Sequence, residues 1–207
     1  MKCWIRGQVV LDRKSTTADS SCGELETYAT LSRSHIETAM TVPEITIDYL
    51  ANQPEFADEL ARLSWAEWQP IYQQRGQTFD DALNNYRQRT NTDRLPLALV
   101  ALQGEELVGT VSLKFNDLDI RRDLNPWLGA LLVLPSWRQR GVGSMLTHRA
   151  VEEARRLNLP RLFLWTSSAE GLYLKLGWRV VERTSYCGNQ IVVMQTETRS
   201  PSPQSSP

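Results

Sequence analysis

Hydrophobic positions recur with two different periods along the middle of the chain, so the sequence predicts both strands and helices. Apolar and polar residues alternate over residues 44–50, as they do along a half-buried strand. Val142, Leu146 and Ala150 instead recur with the spacing of one helical face. Residues 127–134 form a continuous apolar run, which is typical of a strand buried on both faces.

The order of the predicted elements favours a mixed sheet flanked by helices, and neither a helical bundle nor a sandwich. Ser167 and Glu170 have the spacing of a capping box and are expected to begin a short helix, which Gly177 ends. In chain order we predict a strand at 44–50, a helix from Asn52, a helix from Thr78 to about Arg89, a hairpin of 97–102 with 107–115, a strand at 127–134, a helix at 142–157, a strand at 161–165, the short helix, and strands at 178–183 and 190–195.

The two ends of the chain lack this pattern. Residues 1–39 show no sustained periodicity and are interpreted as a poorly ordered extension, with Met40 as a hypothetical natural start. Residues 199–207 are rich in Pro and Ser and are interpreted as a tail. Residues 40–198 then remain as a single domain of ordinary length.

Composition argues against several classes of partner. The chain has 23 Lys and Arg against 24 Asp and Glu, a formal net charge of -1 that gives no general field for nucleic acid. No apolar run approaches the roughly 20 residues of a membrane span. Cys3, Cys22 and Cys187, with His35 and His148 as the only histidines, predict neither a metal site nor a disulfide framework. We therefore expect a cytoplasmic protein that binds neither nucleic acid nor membrane.

The segment 131–146 carries the strongest functional signal. It reads LLVLPSWRQRGVGSML, in which an apolar strand leads into a loop with Arg138 and Arg140 before Gly141 and Gly143 open a helix. Glycines let main-chain N–H groups approach an anion, and a helix N-terminus adds unpaired donors. The arginines can add charge-assisted bonds to the same anion. The loop therefore predicts phosphate binding, although an ordinary helix start remains the alternative for so short a pattern.

Two common nucleotide-binding motifs do not fit this loop. A Walker A loop needs a lysine after its last glycine, whereas Ser144 follows Gly143 here. A Rossmann fingerprint needs a third Gly or Ala where Leu146 stands, and its glycines directly follow the strand.

A second motif narrows the choice of protein family. The pattern Arg138-x-x-Gly141-x-Gly143, followed further on by LYLKLGW at 172–178, resembles the GNAT superfamily of acyl-CoA-dependent N-acyltransferases. The resemblance spans about residues 44–195. It implies an α/β (α+β) fold with a mixed, mostly antiparallel, twisted sheet of about six or seven strands and about four helices. It also implies that a central strand pair splays apart to admit the pantetheine arm of the coenzyme.

The resemblance further implies acetyl-CoA as the acyl donor and indicates which residues would bind it. The main chain around Leu132 to Leu134 would pair with the pantetheine amides, and the loop would bind the pyrophosphate. Ser167 stands where relatives often have an Asn that bonds the coenzyme. The expected coenzyme-binding residues are Leu132, Val133, Leu134, Arg138, Gln139, Arg140, Gly141, Val142, Gly143, Ser144, Ser167 and Tyr173.

Acyl transfer to an amine sets three chemical demands. The ammonium must lose its proton, the tetrahedral oxyanion needs a donor, and the departing thiolate benefits from a proton. The resemblance implies a main-chain N–H near Val133 as the oxyanion donor and Tyr173 as the general acid. The alternative for Tyr173 is a half-buried aromatic residue that only packs.

The general base is left open by the sequence. Many relatives have a Glu near the position of Gly129 and Ala130, and neither of these can accept a proton. A water chain or a carboxylate from the 116–125 loop would then serve. Asp117 and Asp123 are the candidates, with Asp119 beside them, and the alternative for each is a solvated carboxylate or an arginine partner.

The expected function is therefore transfer of an acetyl group from acetyl-CoA to a primary amine of a small molecule or a peptide. The acidic residues of the 116–125 loop favour a cationic acceptor. The alternative is a non-catalytic acyl-CoA-binding or sensing module, which the lack of a strand Glu favours. A ligand-free interaction domain would require both motifs to be coincidental, and a homodimer is compatible with the sequence.

Overall fold

The computed structural model describes residues 44–198, so the expected 1–39 extension, Met40 and the 199–207 tail lie outside the described residues. Within them, strands and helices follow one another in nearly the predicted order. The strands are β1 (Ile45–Tyr49), β2 (Leu97–Gln103), β3 (Glu106–Lys114), β4 (Trp127–Val133), β5 (Arg161–Thr166), β6 (Arg179–Tyr186) and β7 (Asn189–Glu197), and the helices are α1 (Phe56–Gln74), α2 (Phe79–Arg87), α3 (Val142–Arg156) and α4 (Glu170–Lys175).

The seven strands form one sheet in the order β1-β2-β3-β4-β5-β7-β6. Every neighbouring pair is antiparallel except β4 with β5, which is parallel. The prediction of a mixed, mostly antiparallel sheet of six or seven strands with four helices is confirmed.

The parallel strands β4 and β5 pair only where they begin. Trp127 is in register with Phe163, and the Phe163 N–H donates to the Pro126 carbonyl at 2.9 Å. Beyond this point the two strands diverge. A register shift between β3 and β4, with Ala130 at a φ of 51°, marks a bulge that bends β4. The predicted splayed pair is confirmed, and the gap between the strands opens toward their carboxyl ends.

Helices pack on the sheet through apolar stripes. Along α3, Val142, Leu146, Ala150 and Ala154 are buried against β2, β3 and β5, whereas α1 and α2 form a second core with other β2 side chains. The prediction that β4 is buried on both faces is wrong for its second half. Residues 130, 131 and 133 are only partly buried because they border the gap.

Helix α1 has a local irregularity that bears on the cavity. Helix α1 continues through Pro70 but kinks at Trp68, whose φ and ψ of -121° and 21° are not helical. Proline causes this because it lacks an N–H and its ring collides with the carbonyl four residues earlier. The kink redirects the second half of α1, which carries Ile71 and Tyr72 and ends at its C-cap Arg75, and all three line the cavity described below.

The predicted capping box at Ser167 is wrong. Helix α4 begins at Glu170 with Ala169 as its N-cap, so Ser167 precedes the cap by two residues. The Thr166 hydroxyl accepts the N–H groups of Ser168 (3.3 Å) and Ala169 (2.9 Å) instead. The Glu170 carboxylate is paired with Arg183 across the surface at 2.6 Å.

Candidate active site

The loop between β4 and α3, residues 134–144, is named here the glycine loop. Its first part is a short 3₁₀ turn closed by the Trp137 N–H on the Leu134 carbonyl at 2.8 Å. Among residues 44–198, no acceptor bonds to the main-chain N–H groups of residues 139–144, and the Met145 N–H is the first to bond back, to Gly141 at 3.0 Å. The loop thus presents a run of unpaired donors at the positive end of α3.

Gly141 is required in the glycine loop for its backbone conformation. Its φ is 86°, in the left-handed region that L-residues avoid, and a Cβ placed there would meet nothing within 4 Å. A Cβ on Gly143 would lie 3.8 Å from the Val133 side chain, which is an ordinary contact. These contacts involve protein atoms only, so the expectation that the glycines let N–H groups approach an anion stays a prediction.

The two arginines of the loop have different surroundings. Arg138 donates from Nε to the Val133 carbonyl at 3.0 Å and pairs with Glu67 of α1 at 3.2 Å. Arg140 is exposed and has its guanidinium carbon 5.0 Å from the centre of the Trp137 ring. Arg140 therefore has its charge free to meet an anion at the surface of the loop.

The end of β4 presents its main chain to the gap at only one of the three expected residues. The Leu134 N–H donates to the Val108 carbonyl of β3 at 3.0 Å, and Leu132 is in register with Thr110. Because main-chain groups alternate in direction along an antiparallel pair, Leu132 and Leu134 face β3 and Val133 faces the gap.

A cavity of about 410 Å³ occupies the gap between β4 and β5 and extends beneath α1 and α2. We name it the central cavity. It is lined by Glu67, Trp68, Ile71, Tyr72, Arg75, Gln77, Asn85, Arg89, Lys114, Asn116, Asp117, Leu128, Gly129, Ala130, Leu131, Trp165, Thr166, Ser167, Ser168, Ala169 and Tyr173.

Asp117 supplies a firmly held carboxylate in the wall of the central cavity. Its side chain is 8% exposed, and Oδ1 lies 2.6 Å from the Lys114 ammonium. Oδ2 accepts the indole N–H of Trp165 at 3.1 Å, and the Asp117 main-chain carbonyl accepts a bond from Arg75 at 2.8 Å. Each carboxylate oxygen can accept a further bond, so the group is fixed in place and still able to bind another donor.

Gly129 makes room for this carboxylate. A Cβ at Gly129 would lie 2.5 Å from Asp117 Oδ2 and 2.7 Å from Lys114 Cε, distances that real Cβ atoms do not show. The loop carboxylate thus occupies the space into which a side chain on β4 would project. Asp117 therefore reaches the strand position at which the sequence lacks an acid.

Two other titratable groups of the central cavity are strongly affected by burial. Burial holds the pKa of Lys114 below its usual value, and the charges of Arg89 and Arg75 act in the same direction while Asp117 opposes them. Burial raises the pKa of Tyr173 to about 12. Tyr173 packs edge-on against Trp178 at 5.8 Å, and no group among residues 44–198 bonds to its hydroxyl.

Comparison with known proteins assigns the family. The sequence profile of the Acetyltransferase (GNAT) family matches residues 57–178, more than half of the chain. The chain belongs to the GNAT acetyltransferase family. Comparison with curated protein sequences gives no match.

Solved GNAT structures share the fold of this acetyltransferase at low sequence identity. The aminoglycoside 6'-N-acetyltransferase from Enterococcus faecium is 18% identical with a TM-score of 0.59 and covers 76% of this chain and 99% of its own. PaiA N-acetyltransferase from Thermoplasma acidophilum, in complex with coenzyme A, is 22% identical with a TM-score of 0.54 and covers 74% of this chain and 99% of its own. YncA, a putative acetyltransferase from Salmonella typhimurium with its cofactor acetyl-CoA, is 18% identical with a TM-score of 0.59 and covers 79% of this chain and 99% of its own.

The structure separates the predicted site residues of this GNAT protein. Asp117, Ser167 and Tyr173 line the central cavity together. Asp123 does not line it: its side chain is 64% exposed and is held by Arg121 at 2.8 Å, a hydrogen bond that keeps its pKa below the usual range. The alternative given for Asp123, pairing with an arginine, therefore explains its position. We do not include Asp123 in the candidate active site.

Several cavity residues were missed by sequence reasoning. Trp165 fixes Asp117, and Tyr72, Arg75 and Arg89 come from α1 and the end of α2. Their sequence separation from the glycine loop leaves no local signal. The spacing of Lys114 and Asp117 was the one available hint, since residues three apart at the end of a strand can pair.

No helix among residues 44–198 is long and apolar enough to cross a membrane. The same residues contain no group of His, Cys, Asp and Glu side chains arranged to hold a metal ion.

Proposed function

We propose that this GNAT protein is an N-acetyltransferase that moves the acetyl group of acetyl-CoA to a primary amine by direct attack through a tetrahedral intermediate. The observation that carries the proposal is the run of unpaired N–H groups at residues 139–144, which follows β4 at the end where the strand gap opens, together with the fixed carboxylate in the central cavity. Two solved relatives are bound to this coenzyme: PaiA is in complex with coenzyme A, and YncA is with its cofactor acetyl-CoA.

The glycine loop has the donors that a diphosphate requires. Unpaired N–H groups at the start of α3 and the free guanidinium of Arg140 would bind its oxygens. The gap-facing N–H of Val133 would donate to the pantetheine arm or to the developing oxyanion, since its carbonyl already accepts the Arg138 Nε bond. Ser167 would contact the coenzyme from the opposite wall of the gap.

Asp117 is the proposed general base. An alkyl ammonium has a pKa of about 10.4, so the acceptor arrives without a nucleophilic lone pair. The Asp117 carboxylate attracts this cation and takes its proton directly or through one water. Lys114 and Trp165 hold the carboxylate in one orientation, which keeps the distance to the incoming nitrogen fixed.

Tyr173 is the proposed general acid. With its pKa raised to about 12, the phenol keeps its proton throughout the neutral range. Its hydroxyl has no partner among residues 44–198 and lies at the cavity, so it can donate to a departing sulfur. A proton held close to the thiolate lowers the cost of breaking the thioester.

The alternative is a non-catalytic acyl-CoA-binding module, which the absence of an acid at Gly129 favours. The position of Asp117 in the same space argues for catalysis. Release of free thiol from acetyl-CoA across a panel of amines distinguishes the two.

Asp117→Asn tests the proposal, because the amide keeps the size and the Trp165 bond but cannot accept a proton. We expect kcat to fall by about 10²–10⁴-fold, the usual contribution of a general base, with little change in the Kd of coenzyme A by calorimetry. Asp123→Asn is the matched control and should leave both values unchanged. Full turnover by Asp117→Asn would remove Asp117 from the mechanism, and coenzyme binding without thiol release would support the module.

A further inference from the structure

Arg89 is a buried cation without an acidic partner in the part of the chain that is described. The residue is 5% exposed, its Nη1 donates to the Ser112 hydroxyl at 3.2 Å, and its guanidinium carbon lies 4.5 Å from the centre of the Tyr86 ring. No Asp or Glu among residues 44–198 forms an ion pair with it. A guanidinium cannot lose its proton in a protein, and buried charges are normally paired. Since Arg89 lines the central cavity, its missing partner is expected there.

Both acidic side chains of the central cavity already have a cationic partner, whereas Arg75, like Arg89, bonds only to neutral groups among residues 44–198. Asp117 is paired with Lys114, and Glu67 is paired with Arg138. Arg75 bonds to the Asp117 carbonyl and to the Tyr186 hydroxyl, at 2.8 Å each. The cavity wall therefore carries an excess of positive charge that a bound anion would neutralise.

Neutral polar groups stand on the same wall as Arg89. Asn85 projects from α2 with amide donors that can bind a carboxylate, and the Tyr72 hydroxyl lies nearby. Gln77 also lines the cavity, and its buried Oε1 lacks a hydrogen-bond partner in the described structure. This wall is therefore polar as well as positive: its Asn85 and Tyr72 donors suit a carboxylate, and the Gln77 oxygen can accept a bond from an N–H or O–H group.

The Arg89 guanidinium and the proposed base lie close together. Ser112, which accepts the Arg89 bond, is directly opposite Gly129 in the β3 and β4 register. Opposite side chains on such strands share a face, with Cβ atoms about 4.5–5.5 Å apart. The Gly129 Cβ position is in turn within 2.5 Å of Asp117 Oδ2. The anion-binding and amine-binding groups are thus linked through side-chain positions on one face of two neighbouring strands.

We propose that the acceptor is an amino carboxylic acid whose carboxylate binds Arg89 while its amine faces Asp117. This rests on the proposed acetyl transfer and replaces the expectation of a cationic acceptor. The ammonium gives one proton to Asp117, and the resulting amine attacks the thioester carbonyl to form the tetrahedral intermediate. The C–S bond then breaks as the thiolate takes a proton from Tyr173, and the second proton of the nitrogen passes to the Tyr173 phenolate. Asp117 releases its proton to solvent, so the products are the amide, free coenzyme A and one proton. A peptide N-terminus or an aminoglycoside has no carboxylate beside its amine and is excluded as the preferred acceptor.

The test compares acceptors that differ only in charge. Thiol release from acetyl-CoA is measured with the common L-amino acids, with their primary amides and with the corresponding alkyl amines. We expect at least one amino acid to exceed its amide in kcat/KM by about 10- to 100-fold, the usual effect of a charge-assisted bond. Equal or faster acetylation of the amides overturns the carboxylate inference and leaves acetyl transfer intact.

Variants locate the effect at Arg89. Arg89→Met should bring the ratio of kcat/KM for the acid over the amide down to about one, and Arg89→Lys should restore part of this ratio. Arg87→Met is the matched control, since Arg87 lies at the surface and pairs with Asp58. A preference for the acid that survives in Arg89→Met overturns the inference. If the Arg89 variants do not fold, the comparison of acid with amide in the wild type decides.

Absence of thiol release with every amine contradicts the proposed function instead. The inference is then decided by the melting temperature of the wild type with an amino acid and with its amide. Stabilisation by the acid alone supports the anion site, and equal shifts overturn it.

Discussion

The glycine loop and the central cavity are built in opposite ways. The loop acts through its main chain: a short continuous segment sets the φ of Gly141 and leaves its N–H groups unpaired. The cavity acts through side chains that come from α1, α2, β3 and β5 and meet only in the folded chain. A substitution in the loop should therefore act through backbone conformation, and one in the cavity through space and charge.

Gly129→Ala is the strongest test of this contrast between the glycine loop and the central cavity. The new Cβ cannot stand 2.5 Å from Asp117 Oδ2, so the carboxylate must leave its position between Lys114 and Trp165. We expect turnover to fall by about 10²–10⁴-fold, as for loss of the base itself. Overpacking should also lower the free energy of unfolding by about 1–3 kcal/mol. Steady-state kinetics and thermal melting measure the two effects.

Gly171→Ala is the matched control for that experiment. Gly171 lies in α4, where a Cβ would meet nothing within 4 Å. We expect no loss of stability, because alanine is a better helix former than glycine. Wild-type turnover in Gly129→Ala would show that the Asp117 position is not needed for the reaction.

Tyr173→Phe separates chemistry from coenzyme binding within the cavity. Loss of the hydroxyl should lower kcat by about 100-fold if it protonates the thiolate, while the Kd of acetyl-CoA stays nearly unchanged. Tyr72→Phe is the companion variant, since it removes a hydroxyl from the opposite wall and should act on the acceptor KM. Unaltered kcat in Tyr173→Phe would leave Tyr173 with a packing role.

The ionisation of Tyr173 gives a related expectation for the wild type. Because burial raises its pKa to about 12, the phenol is still protonated where an ordinary tyrosine has begun to ionise. The rate of the wild type should therefore not fall through loss of this proton as the pH rises to about 10, the usual tyrosine pKa. A decline near that pH, absent from Tyr173→Phe, would contradict the assignment.

Gly141→Ala tests the loop side of the comparison. At a φ of 86° an L-residue is strained by about 1–2 kcal/mol, so the loop should relax and turn its N–H groups away. We expect the KM for acetyl-CoA to rise by about tenfold, because restoring the binding conformation of the loop would cost this strain energy. We expect a smaller effect on kcat. Gly143→Ala, whose Cβ makes only ordinary contacts on the protein side, should keep the melting temperature of the wild type.

The same contrast explains how much the sequence could predict. The glycine loop and the order of strands and helices depend on neighbouring residues, so periodicity and one motif were sufficient. The choice of Asp117 over Asp123 as the proposed base depends on residues that are distant in the sequence. Gly129 has no Cβ in the space that the carboxylate occupies, and Trp165 donates its indole N–H to Asp117. The charge of Arg89 became informative only once its burial was known, because an exposed arginine needs no partner.

The cap of α4 shows that even a local motif can be misassigned, and it gives the smallest expected effect. Ser167 has the right spacing to Glu170, yet the Thr166 hydroxyl accepts the free N–H groups because the chain turns one residue earlier. Thr166→Ala should therefore cost about 1 kcal/mol of stability, a decrease of about 2–4 °C in Tm, whereas Ser167→Ala should cost almost none. A larger loss of stability in Ser167→Ala than in Thr166→Ala would support the capping box that the sequence predicts. If Ser167→Ala instead raises only the KM for acetyl-CoA, Ser167 contacts the coenzyme and belongs functionally with the glycine loop, although it lies on the cavity wall.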